Sequence, residues 1–243
     1  MSTKHPAAPG PLRSHEEAQT KTLASILTES IRQDIIAGVF LPQSKLKVRE
    51  LSERYGAGAI PLREALSRLV MSGFVEAEDQ KGFRVAGISE AELLDITRIR
   101  QWIESEALRD SILHGDLDWE SNLLSASHRL SHLALRNPEN GEINPQWDHA
   151  HDALHSALIS ACTSPWLIKL SGLLREQTGR YRHISIQAES AKARDLQTEH
   201  KEIVNAALER DADRACALLA EHFALTSQLV LAQQHSKQLA RTA

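Results

Sequence analysis

Residues 48–75 read VRELSERYGAGAIPLREALSRLVMSGFV, and this stretch decides the fold of the front of the chain. Apolar residues at helical spacing predict a short helix over about residues 48–55 and a longer one over residues 61–72. A glycine-containing turn, residues 56–58, connects them, and Pro61 suits the first turn of a helix, where its missing N–H does no harm. Two helices joined in this way are typical of a helix-turn-helix.

The flanking segments complete a small domain. Apolar residues spaced by three and four predict a preceding helix from about Lys21 to the region of Gly38. Two alternating segments, residues 74–77 and 82–85, predict a β-hairpin behind the second helix of the motif. Three helices and a hairpin make a winged helix-turn-helix domain, which we place at residues 20–88.

The rest of the chain divides into a tail and a helical region. Several prolines and few large apolar side chains predict a flexible tail over residues 1–19. Ser89 and Glu92 form a capping box that opens a helix running to about Leu113. Five more helices are predicted over residues 118–136, 145–162, 165–186, 191–209 and 212–234. The predicted fold class is therefore mainly α: an N-terminal winged helix-turn-helix followed by an all-helical bundle of about six helices over residues 89–243.

Composition narrows the class of protein. The 243 residues have a net charge of −4, but the first 88 hold 12 Lys and Arg against 10 Asp and Glu (+2), while the remainder hold 16 against 22 (−6). This asymmetry suggests different partners for the two parts. No run approaches the roughly 20 apolar residues of a membrane helix, and the first residues lack the apolar core of a signal peptide. With two cysteines and no disulfide framework implied, we expect a cytoplasmic protein with no membrane partner.

The helix-turn-helix predicts a set of DNA-binding residues. The second helix of such a motif enters the major groove and meets DNA with its N-terminal residues, which places Arg63 at the bases and Arg49 on the same surface. The planar fork of arginine can engage guanine or a phosphate. Lys81 and Gly82 lie at the predicted hairpin tip, within reach of the DNA backbone or minor groove, and Arg68 completes the candidate set. An isolated arginine is more often an ordinary surface charge, so the surrounding pattern carries this hypothesis.

That pattern also carries a resemblance. Residues 48–56, followed by residues 61–69 and 73–75, resemble the GntR family of bacterial transcription regulators. The helical back half is similar to the ligand-sensing FCD domain of the FadR-type subfamily, nearest its shorter VanR-like variant. The resemblance implies a homodimeric regulator, most simply a repressor, that binds double-stranded operator DNA and responds to a small ligand. Residues 58–60 depart from the family pattern, because they read Gly-Ala-Ile where such regulators usually carry Ser or Thr, then Arg, then Thr.

Four histidines lie on inward faces of the predicted helices. His151 and His155 are four residues apart and share one face, and His200 and His222 each belong to the apolar stripe of a later helix. Burying several imidazoles without partners is costly. A shared divalent metal ion would satisfy them together, and zinc or nickel accepts imidazole nitrogen readily.

The resemblance bears on the same four residues. Metal-containing FCD domains typically use one Asp and three His, with the first pair arranged as Asp-x-x-x-His. His155, His200 and His222 match the three histidines, and His151 stands where the aspartate would be. That departure leaves two alternatives open: an all-imidazole site, or a weakened one.

Arg100 is the candidate for binding an effector. It lies in the apolar stripe of the first helix of the bundle, and an arginine there needs an anionic partner. The partner is either Glu104, one turn along, or the carboxylate of a small organic-acid effector bound beside the metal. Arg180, Arg182 and Arg194 are further candidates that sequence alone does not orient.

Two alternative functions are compatible with parts of this pattern. The segment from His151 to His155 superficially resembles the His-Glu-x-x-His motif of zinc proteases, but Asp152 replaces the longer glutamate that acts as general base. We therefore expect no enzyme, with a metalloenzyme as the remote alternative. A purely structural metal site without an effector is the nearer one, because a metal that joins three helices stabilises the fold by itself.

Overall fold

The computed structural model describes residues 22–78, 81–139, 141–187 and 194–242. Within them lie nine helices and three strands. The front part contains α1 (Leu23–Ile36), β1 (Lys45–Leu46), α2 (Val48–Tyr55), α3 (Ala59–Met71), β2 (Val75–Glu78) and β3 (Gly82–Val85). The back part contains α4 (Glu90–His114), α5 (Leu117–Ser131), α6 (Pro145–Leu158), α7 (Pro165–Gln187), α8 (Leu196–Leu208) and α9 (Ala212–Thr242). This agrees with the predicted fold class.

The front part is a winged helix-turn-helix built on its own core. Leu27 and Ile31 of α1 are buried with Leu62 and Leu66 of α3, as the spacing of these residues predicts. The three strands form one antiparallel sheet in the order β1-β3-β2. Sequence patterning missed β1, because a strand of two residues shows no alternation that distinguishes it from a loop.

The turn between α2 and α3 is closed by local contacts. Gly56 ends α2 in the left-handed conformation at φ +62°, which glycine adopts without the steric cost of a Cβ atom. Ala57 is buried, and the Ser52 hydroxyl donates a hydrogen bond to its carbonyl oxygen. These contacts fix where α3 begins, and therefore which residues its exposed first turn presents.

The back part is a helical bundle around a second core. Leu108 of α4, Leu123 of α5, Leu154 of α6 and Ala207 of α8 are among its fully buried residues. The Ser89 side chain accepts a hydrogen bond from the Glu92 amide at the start of α4, as the capping box predicts. The helical segments that position the histidines thus follow the apolar stripes in the sequence.

Three helices are shorter than predicted: α5, α6 and α8, which begins at Leu196, so that residues 194 and 195 lie outside it. α5 ends at Ser131, and beyond it Arg136 and Ile143 make an isolated β-bridge instead of continuing the helix. α6 ends at Leu158, and the following residues turn toward Pro165, where α7 starts. The predicted tail, residues 1–19, and the predicted helical residues 191–193 lie outside the described residues. The predicted domain limits stay predictions.

Helix α7 touches both cores. On its front side, the Gln177 side-chain amide donates to the carbonyl of Ser72, and Glu176 forms an ion pair with Arg32 of α1. Gly179 lies so close to Ile36 that a Cβ atom there would sit 3.3 Å from the isoleucine side chain. The winged domain therefore rests directly on α7.

Helix α9 is the central helix of the bundle. By length and composition alone, Ala212–Ser236 could cross a membrane. It packs against α4, α7 and α8 instead, and it carries the buried polar residues His222 and Ser227 into the interior. We interpret its apolar character as that of a core helix.

Candidate metal centre and DNA-reading surface

The four predicted histidines meet in one cluster inside the bundle. His151 and His155 come from α6, His200 from α8 and His222 from α9, and each is at most 5% exposed. One ring nitrogen from each lies within 4.8 Å of the others. The Nε2 atoms of His151 and His155 are 3.2 Å apart. Three helices far apart in sequence thus converge four imidazoles on one point.

Burial keeps these imidazoles neutral. It lowers the pKa of His151, His155 and His200 well below 6.5, and the positive charge of neighbouring groups adds to the effect. Burial also lowers the pKa of His222, although the hydrogen bond to Glu199 opposes it. The neutral ring is the form that ligates a metal ion.

Several nitrogens of the cluster have no partner in the structure. Nδ1 of His151, Nδ1 of His155 and Nε2 of His200 are fully buried and unpaired among the described residues. Buried polar atoms are nearly always satisfied in folded proteins, so such a concentration calls for a missing partner. A cation that accepts imidazole nitrogen fits this donor set. His151, which stands where the resemblance leads us to expect an aspartate, lies inside the cluster.

A carboxylate that sequence reasoning missed orients one of the rings. Nδ1 of His222 donates a 2.8 Å hydrogen bond to Glu199, and Arg194 holds the same carboxylate through two 2.7 Å hydrogen bonds. Burial disfavours the Glu199 carboxylate, but the hydrogen bonds from Arg194 and His222 outweigh it and lower the pKa to about 2. The one sequence signal was the position of Glu199 directly before His200.

Arg100 finds the nearer of its two predicted partners and keeps a free nitrogen. Its Nε donates to Glu104 at 2.5 Å and its Nη1 donates to the Thr178 hydroxyl at 2.9 Å. The guanidinium lies 4.0 Å from the ring centre of Phe223. Nη2 is buried without a partner in the described part of the chain. Burial lowers the pKa of Arg100 from its ordinary value, with Glu104 opposing.

A small cavity separates Arg100 from the histidines. Its volume is about 30 Å³, and its polar lining includes Arg100, Thr178, Arg182, His151 and His222. That volume is about the share of one water molecule in the liquid.

A much larger open groove, of about 850 Å³, lies beside this cavity and reaches His200. The groove and the cavity share five lining residues: Trp147, Ser185, Ile186, Arg194 and Leu196. These shared side chains border both spaces.

Arg180 and Arg182 of α7 contact different parts of the chain. Arg182 donates to Asp148 and Asp152 of α6, beside the histidines. Arg180 donates to the carbonyl of Gly87 at 3.1 Å and to Glu92, at the junction with the winged domain. One turn of α7 therefore contacts both the cluster and the front of the chain.

The candidate DNA-binding residues of the winged domain differ in exposure and in the number of side-chain hydrogen bonds they make. Arg63 is exposed in the first turns of α3, and the Arg49 side chain is 91% exposed beside Glu53. Lys81 is exposed, and Gly82 follows it at φ +96°.

Arg68 is the member of the predicted set whose side chain is most restrained by hydrogen bonds. Its guanidinium donates to the Ser25 hydroxyl at 2.8 Å and to Glu64 at 2.7 Å. Arg68 thus joins α3 to α1 in this structure.

Comparison with known proteins agrees with both parts. Residues 23–85 match the model described as bacterial regulatory proteins, gntR family, and residues 95–225 match the FCD domain. The uncharacterized HTH-type transcriptional regulator BphR of Paraburkholderia xenovorans strain LB400 is 36% identical over 208 residues, 84% of each chain. The HTH-type transcriptional repressor GlaR of Escherichia coli strain K12 is 36% identical over 195 residues, 79% of this chain and 88% of that protein.

Solved structures share the fold. Escherichia coli McbR/YncC superposes with a TM-score of 0.71 at 20% identity, over 89% of this chain and 99% of that one. A transcriptional regulator from Rhodococcus sp. RHA1 superposes with a TM-score of 0.69, also at 20% identity, over 86% and 97% of the two chains. The arrangement of a winged domain before an FCD-type bundle is therefore common to these proteins.

Proposed function

The chain belongs to the GntR family and is a transcriptional regulator with an FCD domain. From this premise we propose that it is a metal-containing repressor that responds to a ligand. It acts in the cytoplasm as a homodimer on double-stranded operator DNA. The observation that carries the ligand-responsive part is the cluster of four buried, neutral histidines beside an unpaired nitrogen of Arg100. The name of the relative GlaR supports the repressor assignment.

The winged domain binds the operator. Arg63 contacts base edges or phosphates from the first turns of α3, and Arg49 and the hairpin tip at Lys81 and Gly82 contact the DNA backbone. The exposure of these residues supports this assignment. Arg68 contributes indirectly, since its bonds to Ser25 and Glu64 support the position of α3.

The helical domain binds one divalent metal ion. His151, His155, His200 and His222 would hold it, with zinc as the first candidate and nickel as the second. A bound ion would join α6, α8 and α9, and it would supply a Lewis-acidic centre for an anionic ligand if its coordination expanded beyond the four imidazoles. Four neutral ligands leave the full charge of the ion uncompensated, and this favours an anion in the adjoining cavity.

A small organic acid is the effector. Its carboxylate accepts from Nη2 of Arg100, on the cavity side of the cluster. A volume of about 30 Å³ does not admit even a small organic acid without expansion. Expansion displaces α7, which forms one wall through Thr178 and Arg182 and touches the winged domain through Gln177. The effector thus shifts the DNA-binding domains by favouring the expanded arrangement.

An exposed apolar surface supports the dimer. Trp102 of α4 is 68% exposed, and Trp166 of α7 is 67% exposed with Leu170 and Leu173 on the same side of the helix. α4 and α7 pack side by side, so these side chains lie on neighbouring helices. Two copies related by a twofold axis would cover them against each other.

The structural-metal alternative keeps one supporting observation, which is the small size of the cavity. A catalytic role finds no support at the cluster. The nearby carboxylates Glu199 and Asp152 each pair with an arginine, and the pKa of Glu199, about 2, is too low for a base that works near neutral pH. We assign no enzymatic activity.

Metal content and effector response test the proposal together. Protein purified without a metal-affinity tag should contain roughly one transition metal ion per chain, and His200→Ala should lose it. His128→Ala, which changes an exposed histidine, is the matched control and should keep it. A panel of short mono- and dicarboxylic acids should then release a DNA duplex selected by the full-length protein. Metal without any response to the panel would favour the structural site, and no metal after zinc and nickel are offered would refute the metal assignment.

A further inference from the structure

Ile60 occupies an unusual place for a large apolar side chain. It lies in the first turn of α3 and is 82% exposed, whereas Leu62 and Leu66 on the same helix are fully buried. Single exposed apolar residues are common on protein surfaces and by themselves need no explanation. This one lies at the end of the helix that a helix-turn-helix inserts into the major groove.

Ile60 carries the largest exposed side chain in the first turn of α3, because its neighbours are small. Gly58 and Ala59 are exposed, but Gly58 has no side chain and Ala59 carries only a single methyl group, and Gly58 offers no side-chain cap to the helix. One turn further along, Arg63 lies on the same face at spacing i, i+3, and Ser67 follows at i+7. The Ser67 hydroxyl is already bonded to the carbonyl of Arg63. The reading face thus presents one apolar group beside one guanidinium.

The chemistry of the major groove offers one apolar feature for such a group. Of the four bases, only thymine places a methyl group on its major-groove edge, and apolar side chains contact it. Isoleucine is stiff at χ1 in a helix, so its methyl groups are held in place before binding. Contact with a base methyl also removes the exposed apolar surface from water.

We propose that Ile60 reads the methyl group of a thymine in each operator half-site. This inference rests on the proposed DNA-binding function and adds a specificity-determining residue to it. Arg63 supplies the polar contact of the same half-site, and Ile60 selects thymine at a position next to it.

The test compares binding preferences of full-length variants. DNA duplexes are selected from a random pool by the wild-type protein, by Ile60→Ala, and by Met71→Ala as a matched control. Met71 is 83% exposed at the other end of the same helix, so its change removes a similar apolar surface away from the first turn. The selected wild-type site is then remade with deoxyuridine in place of thymine, which deletes only the methyl groups.

We expect one fixed thymine per half-site for the wild type and for Met71→Ala, and no preference at that position for Ile60→Ala. Deoxyuridine there should weaken wild-type binding roughly fourfold per half-site, the factor for burying one methyl group, and leave Ile60→Ala unaffected. Ile60→Val, which keeps the branched Cβ, should retain the preference.

Two results would count against the inference in different ways. If Ile60→Ala selected the same thymine and kept the sensitivity to deoxyuridine, Ile60 would not be the reader. If the wild type enriched no sequence at all, the proposed operator binding would fail and this inference with it.

Discussion

Nδ1 of His222 donates a hydrogen bond to Glu199 at 2.8 Å, and this contact decides which nitrogen of the ring faces the other histidines. With Nδ1 protonated, Nε2 keeps its lone pair for a ligand. Arg194 holds the same carboxylate and also donates to the carbonyl oxygen of His222. Such outer carboxylates fix the ring and raise its basicity as a metal ligand.

Glu199→Gln should weaken metal binding by about 10- to 100-fold, because the amide no longer holds His222 and Arg194 with a full negative charge. Competition between the protein and a chelator for zinc measures the change. Glu202→Gln, at an exposed position on the same helix, is the control and should bind zinc as the wild type does. Equal affinity in both variants would mean that Glu199 serves the fold alone.

The metal-free protein should lose stability as pH falls below about 6.5. The histidines of the cluster have pKa values below the value of about 6.5 that they have in the unfolded chain. Between the two values the unfolded state binds more protons, so the free energy of unfolding rises with pH there and levels off above it. Each ring contributes at most about 1.4 kcal/mol per pH unit.

Thermal unfolding of the chelated protein between pH 8 and pH 5 measures this dependence. His200→Leu removes one titrating ring and should flatten the curve relative to the wild type. A melting temperature that does not change between pH 7 and pH 5 would contradict the burial of neutral imidazoles.

Arg100→Ala should abolish the response to carboxylic acids while DNA binding in their absence persists. The single change leaves Glu104 buried without its partner, which costs about 3–5 kcal/mol. Arg100→Met combined with Glu104→Gln removes both charges and keeps the fold testable. Release of a selected duplex by each acid is the measurement, and the control is Arg98→Ala, an exposed arginine on the same helix. A full response in the double variant would remove Arg100 from the effector site.

Gln177→Ala should uncouple the two domains. Its side chain bonds the carbonyl of Ser72 from the helix that also lines the cavity through Thr178. We expect unchanged metal content and a several-fold weaker effect of the effector on DNA affinity, on the order of the 1–3 kcal/mol typical of coupling between sites. Gln228→Ala, which changes an exposed glutamine of α9, is the control and should behave as the wild type. An undiminished response would show that the signal takes another route.

Arg63→Ala should weaken binding to the selected duplex by about 1–3 kcal/mol if it reads a base. Fluorescence anisotropy at fixed salt concentration measures the affinity, because phosphate contacts make such affinities salt-dependent. Arg129→Ala removes an equally exposed positive charge from the helical domain and should have little effect. Similar losses in both variants would indicate a general charge effect.

Much of this architecture follows from local sequence. The periodic apolar positions of α1 and α3, the capping serine of α4 and the prolines at the starts of α3, α6 and α7 act within one or two turns of the chain. The inward orientation of the histidines on α6, α8 and α9 follows from the same spacing. These features were predictable because the interactions that cause them join residues close in sequence.

Other features depend on packing between distant segments. β1 exists only through its pairing with β3, and α5 ends early because Arg136 pairs with Ile143 in an isolated β-bridge. Periodicity shows which face of a helix is apolar, but it does not show which element covers that face or at what distance.

The sequence by itself determined the order of helices, the helix-turn-helix, the family and the four inward histidines. Only the tertiary structure decided that these histidines converge within 4.8 Å, that Glu199 orients one of them, and that one nitrogen of Arg100 has no partner among the described residues. It also decided that α7 touches both the cavity and the winged domain. The physical reason is that the spacing of residues along a helix fixes which face each side chain lies on. Distances between helices depend instead on how their surfaces pack.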